Sequence, residues 1–288
     1  MSKVLSFTGG SVQGVGLSAI GCGIMETYEP DIIIGTSVSA IFAIPLAMRK
    51  TDIIKEAMLN FNTKSIFGKY APLNKKNTFP SLRGVFRIIT GKDSLGKQDA
   101  LIDFIKQYLD KDLFLKYQNG KYADVLVATT NYTYGTIDYW NLKEISCYET
   151  VLKIILASCN IPVLINGIKL GNNYHYDGGV ISAQSGKHFL LANKYVIKEW
   201  RSVWARPKQI EIRKDFTPKN VLNVASRSLE LMIKNESLES EYLEDLICKE
   251  NRIEHRKYFF KTELDSLYDT DLNERTIDFS NGLEIGKE

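Results

Sequence analysis

The sequence predicts an α/β fold of three layers, with helices on both faces of a mostly parallel central sheet. Three observations carry that prediction. Short apolar, β-branched runs alternate with longer segments of helical periodicity. Those short runs are nearly continuous in hydrophobicity, as strands buried on both faces must be. Glycine-rich turns stand where strand runs pass into helical ones.

Taken in order, VLSF (4–7) is a short buried strand, followed by glycines and the helical stretch LSAIGCGIMETY (17–28). IIIG (32–35) is the second strand, and SAIFAIPLAMRK (39–50) the helix after its turn; DIIKEAMLNF (52–61) is a further helix. Residues 63–97 are rich in Lys, Gly, Pro and Asn with scattered aromatics, which predicts an irregular excursion. QDALIDFIKQYLDKDLF (98–114) has apolar residues at i, i+3 and i+4 and is expected as one helix. YADVLVATTNY (122–132) and TIDYWNL (136–142) are strands. ETVLKIILASCN (149–160) is a helix that Pro162 stops. HYDGG (175–179) follows a short hairpin. Two amphipathic helices (218–235 and 237–251) and a late strand, KYFFKTEL (257–264), complete the expected elements.

Length and composition bound the rest. A chain of 288 residues, 44% hydrophobic, has material for a sizeable core, and no linker or repeat divides it. One domain over 1–288 is expected, with 61–98 as a cap or insertion. No apolar run reaches the length of a membrane span, and MSKVLSF reads as a strand start and not as a secretory leader. The four cysteines lie far apart with no CxxC pair, which predicts reduced thiols, a cytoplasmic setting and no metal centre. Three histidines leave little room for histidine-based chemistry. Charge is uneven: Phe61–Gln98 holds eight Lys/Arg against one acidic residue, whereas 230–288 holds sixteen Asp/Glu against eight Lys/Arg. The basic stretch, with Phe61, Phe67, Tyr70, Phe79 and Phe86 among its charges, is expected to meet lipid surfaces, peripherally and transiently. The alternative is a solvated loop whose aromatics pack on the body. Nothing else resembles a nucleic-acid module, so no nucleic acid is expected as a partner.

Two turns carry the chemistry. SFTGGSVQGVG (6–16) offers backbone N–H groups at a helix start, which suits an anion. It is compatible with a dinucleotide pyrophosphate, with the oxyanion of an acyl-transfer reaction, or with a turn that needs glycine only for its dihedrals. Six residues separate the strand from the G-x-G-x-x-A match at 14–19, which departs from the dinucleotide pattern. In the second turn Ser37 follows a strand and precedes a helix, with small neighbours Gly35, Ser39 and Ala40. That is the setting of a nucleophile elbow, and equally of a helix-capping serine. A nucleophile needs a base. His175 is one candidate, although a lone histidine is more often a packing or surface residue. Asp177, in Asp-Gly-Gly, is another, and that tripeptide alone could be a plain turn.

The glycine loop after the first strand, the serine turn after the second and Asp-Gly-Gly beyond ASCNIPVLI together resemble the patatin-like phospholipases. The resemblance runs from about Val4 to Val180 and is strongest at 4–48 and 150–180. It implies a patatin-type α/β/α fold and hydrolysis of lipid acyl esters, phospholipids foremost, with neither metal nor cofactor. By position, Ser37 would be the nucleophile and Asp177 the base. The loop Gly9, Gly10, Ser11, Val12 and Gly14 would supply the oxyanion hole, chiefly through amides around Gly10, Ser11 and Val12. Gly35 and Ser39 would shape the elbow, and Gly178 and Gly179 the aspartate turn. The loop departs from the family's Asp-Gly-Gly-Gly-x-Arg/Lys-Gly at Thr8, Ser11 and Gln13, and Ser39 replaces a glycine. A catalytically weak or silent relative that binds lipid or protein is the alternative.

Overall fold

The computed structural model describes residues 1–69, 71–72, 81–209, 217, 221–260 and 272–288. β1 (Ser2–Phe7) passes through a 3-10 turn (Ser11–Gln13) into α1 (Gly14–Thr27), and β2 (Ile32–Thr36) passes through Ser37 into α2 (Val38–Ala47). The helices α3 (Thr51–Asn60), α4 (Thr63–Phe67), α5 (Leu82–Ile89), α6 (Asp99–Tyr108) and α7 (Lys111–Asn119) follow. Next come the hairpin of β3 (Asp124–Asn131) and β4 (Thr136–Asn141), α8 (Tyr148–Ser158), and the hairpin of β5 (Ile168–Leu170) and β6 (Asn173–Asp177). A 3-10 turn (Gly178–Val180) leads to α9 (Gly186–Asn193), β7 (Ile197–Trp204), α10 (Val221–Asn251), β8 (Glu254–Phe259) and α11 (Leu272–Lys287).

The strands form one sheet in the order β5-β6-β3-β2-β1-β7-β8, with β4 paired to β3. The run β3-β2-β1-β7-β8 is parallel, and the β3–β4, β3–β6 and β5–β6 pairs are antiparallel. Because side chains alternate across a strand, each central strand feeds two cores. Leu5, Phe7, Ile33, Val125 and Val127 pack beneath α1, α2 and α8, whereas Val4, Ile34 and Leu126 pack with Leu190 of α9 and Ile247 of α10. The three-layer α/β/α arrangement follows from that alternation.

Several elements differ from the sequence expectation. Residues 63–97 contain α4 and α5, each started by its own side-chain cap: Asn62 accepts from the Lys64 and Ser65 amides, and Ser81 from Gly84. The expected helix 98–114 is two helices, because Asp110 accepts from the Leu113 amide (2.7 Å) and starts α7 afresh. The two helices expected over 218–251 are one: Asn235–Ser240 contains no proline or glycine to interrupt it. The late strand begins at Glu254, and 261–264 lie outside the described residues. α9, β7 and α11 were not foreseen. Phe61 and Phe67 are buried in the core under α6 rather than presented outward, while Tyr70, Lys75, Lys76 and Phe79 lie outside the described residues. Among the described residues no helix is long and apolar enough to cross a membrane.

Candidate active site

The candidate site lies at the carboxyl ends of β1, β2 and β3, where an open α/β sheet exposes its turns. Ser37 occupies the tight junction between β2 and α2, with φ 58° and ψ −129°. A residue bearing a Cβ enters that region only when its surroundings hold it there, at a cost of order 1–3 kcal/mol. The holding groups are visible. The Ser158 hydroxyl accepts from the Ser37 amide (2.9 Å) and donates to the Ala128 carbonyl (2.7 Å). The Ser39 hydroxyl, fully buried, accepts from the Thr36 amide and donates to the Thr36 carbonyl, both at 2.6 Å. The Cys159 thiol donates to the Ser37 carbonyl (3.2 Å). Ser39 therefore does more than leave room at the elbow: it replaces glycine's freedom with a hydrogen-bonded lock. Gly35 lets α2 approach the strand, since a Cβ there would stand 3.0 Å from the Ala40 Cα.

The register of β3 brings Asp177 to this turn. Thr36, the residue before Ser37, pairs with Ala128, and Asp177 pairs with the next β3 residue, Thr129. Gly178 closes the gap: a Cβ on it would meet the Ala128 carbonyl oxygen at 2.7 Å and the Thr36 methyl at 3.1 Å. The Gly179 amide donates to Asp177 Oδ1 (2.8 Å) and so fixes the carboxylate. Asp177 is 6% exposed. Burial raises its pKa from 3.8 to about 6, against the lowering effects of the Ser37 hydroxyl and the Gly179 amide.

His175 stands apart from this pair. It is buried, its Nδ1 lies 3.0 Å from the Thr129 hydroxyl, and its ring meets the Trp140 ring edge-on. Burial lowers its pKa, with Asp138 opposing. On its other side Nε2 lies 3.9 Å from the Asp138 carboxylate.

The glycine loop lies on the other side of Ser37. A Cβ on Gly9 would stand 3.0 Å from the Ser37 Cβ, so only glycine brings this backbone so close to the hydroxyl. Gly14 packs on Val38 in the same way. Ser11 and Val12 begin the 3-10 turn that runs into α1, and α2 begins directly after Ser37. Ser11 adopts φ 46°, in the left-handed region that a residue bearing a side chain resists.

The two other departures in this loop share one partner. Thr8 accepts from the Ala205 amide (2.8 Å), and the Gln13 amide group, oriented to satisfy its neighbours, donates to the carbonyls of Ala205 and Phe260 at 3.1 Å. Gly10 makes the approach possible, since a Cβ there would meet Ala205 Cβ at 2.6 Å. Thr8 and Gln13 thus clamp the loop to the end of β7. Neither Ser158 nor this clamp was foreseen; a polar serine within the apolar run LKIILAS was the available signal for the first.

A narrow crevice of about 40 Å³ opens beside Ser37, lined by Ser11, Ile41, Phe61, Phe67, Gln98 and Ile165 among others. A single water needs roughly 10–15 Å³, so the crevice holds the volume of only a few waters. Among the described residues no group of three or more His, Cys, Asp or Glu side chains is arranged to hold a metal ion.

The sheet thus carries at its carboxyl edge a serine in a strand–turn–helix junction, a buried aspartate and a glycine loop. The family model of the patatin-like phospholipases matches residues 5–183, and the chain belongs to that family. Membership supports lipid acyl hydrolase activity in general. Among solved structures, VipD from Legionella pneumophila is similar, with a TM-score of 0.44 and 12% identity over 99% of this chain. The chain spans 66% of the length of that protein. No curated protein sequence matches.

Proposed function

We propose that the protein hydrolyses fatty-acyl esters, phospholipids foremost, through a Ser37–Asp177 dyad and an acyl-enzyme. The observation that carries this reading is the β3 register, which sets the elbow serine and the buried aspartate side by side. Asp177 takes the hydroxyl proton as Ser37 Oγ attacks the ester carbonyl carbon. Amides around Gly10, Ser11 and Val12 receive the oxyanion. Collapse breaks the ester bond, and Asp177 returns the proton to the leaving alcohol. Water then attacks the acyl-enzyme, Asp177 takes its proton, and Ser37 leaves with a proton as the fatty acid departs.

A carboxylate is a weak base towards a hydroxyl, so the match improves as its pKa rises. A value of about 6 keeps Asp177 ionised at neutral pH and brings it closer to the proton it must accept.

The test is active-site labelling by a fluorophosphonate together with hydrolysis of diacyl-phospholipid micelles. Wild type should label and turn over, and Ser37→Ala should do neither while unfolding at an unchanged temperature. Labelled Ser37→Ala protein would refute the nucleophile. Folded wild type that neither labels nor hydrolyses would establish the silent, lipid-binding relative instead.

A further inference from the structure

α5 is inside out. Amphipathic helices on a soluble body bury their apolar stripe, and in α5 the opposite faces meet body and solvent. Gly84 is buried, and Arg87 turns inward to donate to the Ser94 carbonyl (2.8 Å) and hydroxyl (2.9 Å). Leu82, Phe86 and Ile89, at i, i+4 and i+7, are 91%, 66% and 77% exposed, with Val85 and Ile88 exposed beside them. Five large apolar side chains on eight residues form a contiguous outward face.

Three observations say what covers it. First, the segment is predominantly basic: Phe61–Gln98 carries eight basic residues and one acidic, Asp93, with Lys69 and Lys92 exposed near the two ends of the helix. A protein groove of ordinary composition offers no such uniform demand, whereas an anionic lipid surface does. Second, rings and branched chains among cations match the layering of a bilayer interface, apolar groups in the acyl boundary and cations at headgroup level. Third, both ends of the element are fastened to segments that adjoin the Ser37 crevice. Upstream, the Ser81 hydroxyl donates to the Ala71 carbonyl (2.8 Å) and Arg83 to that of Lys69, just beyond the crevice residue Phe67. Downstream, the Leu95 and Gly96 amides donate to the Val163 and Leu164 carbonyls (2.9 and 2.8 Å), beside the crevice residue Ile165.

We propose that α5 is a membrane-docking helix whose outward face of Leu82, Val85, Phe86 and Ile89 enters an anionic lipid surface and holds the Ser37 crevice against it. The inference deepens the acyl-hydrolase reading and rests on it for its purpose. It also narrows the sequence expectation: the docking face is one helix, and Phe61 and Phe67 serve the core and the crevice.

The experiment uses full-length Ser37→Ala protein, which leaves the lipid intact. It is sedimented with vesicles of phosphatidylcholine alone and of phosphatidylcholine and phosphatidylserine in a two-to-one ratio. Binding should be at least about tenfold tighter on the anionic vesicles and should weaken as salt shortens the screening length. Changing Leu82, Phe86 and Ile89 together to Ser should cost at least about tenfold in binding without moving the unfolding temperature, because all three are exposed. Phe86→Trp should give blue-shifted emission that lipid-borne bromine quenches. Unchanged binding of the triple variant, or unshifted emission at saturating vesicles, overturns the proposal. So does a triple variant that alters only self-association or capture of another protein. In the Ser37-intact background the triple variant should keep its rate on a soluble short-chain ester within about twofold and lose it on vesicles. Failure of Ser37-intact protein on both substrates would instead defeat the hydrolase reading and leave the binding result standing.

Discussion

Replacing Asp177 by asparagine removes a charge and almost no volume, and the structure gives the result a sign. The carboxyl is buried beneath Gly178 and Gly179, and its pKa rises from 3.8 to about 6 on folding. An acid with a raised folded pKa binds its proton more tightly when folded. The stability it contributes is complete below pH 3.8 and is lost as pH climbs through 6. At 1.36 kcal/mol per unit, holding the ionised carboxylate costs the fold about 3 kcal/mol at neutral pH. Asparagine retains an oxygen for the Gly179 amide and carries no charge. Asp177→Asn should therefore be more stable than wild type by up to about 3 kcal/mol above pH 7, with the difference fading to near zero by pH 4. Its hydrolytic rate should fall by a factor on the order of 10⁴, as expected when a catalytic carboxylate becomes an amide. Urea unfolding at pH 4, 6 and 8 for both proteins measures the first effect, and ester hydrolysis the second. A variant no more stable at pH 8, or more stable by the same amount at all three, would refute the burial cost. A stable variant with wild-type activity would remove Asp177 from the mechanism.

Three further outcomes follow from the same geometry. kcat/KM on a soluble ester should rise with pH through about 6 and then level off, because the base must be ionised; a profile flat from pH 4 to 8 would contradict the assignment. Ser39→Ala leaves the buried Thr36 amide without its 2.6 Å acceptor, so it should lower stability by about 1–3 kcal/mol while retaining most activity, as unfolding and hydrolysis assays would report. Glu236→Gln should weaken the loop that follows Asp177. The Ser182 hydroxyl, the Ala183 amide and Lys187 all donate to that carboxylate, at 2.7–2.8 Å; burial raises its pKa, but Lys187, the Ser240 hydroxyl and the Ala183 amide together hold it below the usual range. The variant should be less stable by about 1–2 kcal/mol at pH 7, and the deficit should vanish as acid protonates Glu236 in the parent; a pH-independent deficit would point to packing instead.

Much of the site was legible because its signals are short. Three isoleucines entering Gly-Thr-Ser and leaving as an apolar helix specify strand, turn and helix within a dozen residues, and Asp-Gly-Gly marks its turn locally. What escaped was decided at long range. β7 is a central strand, yet IKEWRSVW carries charges that broke the apolar pattern; Arg201 is accommodated over the Tyr28 ring at 3.8 Å, and Lys3 lies 3.9 Å from Glu199. α11 contains Gly282 and Gly286, which read as helix breakers. They are instead where it lies against α1: a Cβ on Gly282 would meet the Gly16 carbonyl oxygen at 2.6 Å, and one on Gly286 would meet the Gly23 Cα at 3.0 Å. The inverted face of α5 was hidden for a different reason. The lysines, glycines, prolines and asparagines around it made 63–97 read as an irregular excursion, and apolar spacing at i, i+4 and i+7 does not say which face meets the body.

The elements that escaped also support the site. The family match ends at residue 183, whereas the glycine loop is clamped to Ala205, and the Gln13 amide reaches Phe260 at the end of β8. β1, which delivers that loop, pairs with β7 along its whole length. The loop after the Asp177 turn is held by Glu236 of α10. Thr8 and Gln13 are therefore better understood as a matched pair than as two independent losses of family residues. Each gives up a charged side chain and gains a hydrogen bond to the same backbone segment. In the proposed mechanism the oxyanion would be met by backbone donors and helix N-termini, which do not depend on the charge that was lost. The clamp fixes the position of those donors, and for a transition state whose oxygen must lie about 3 Å from each of them, position is the quantity that counts.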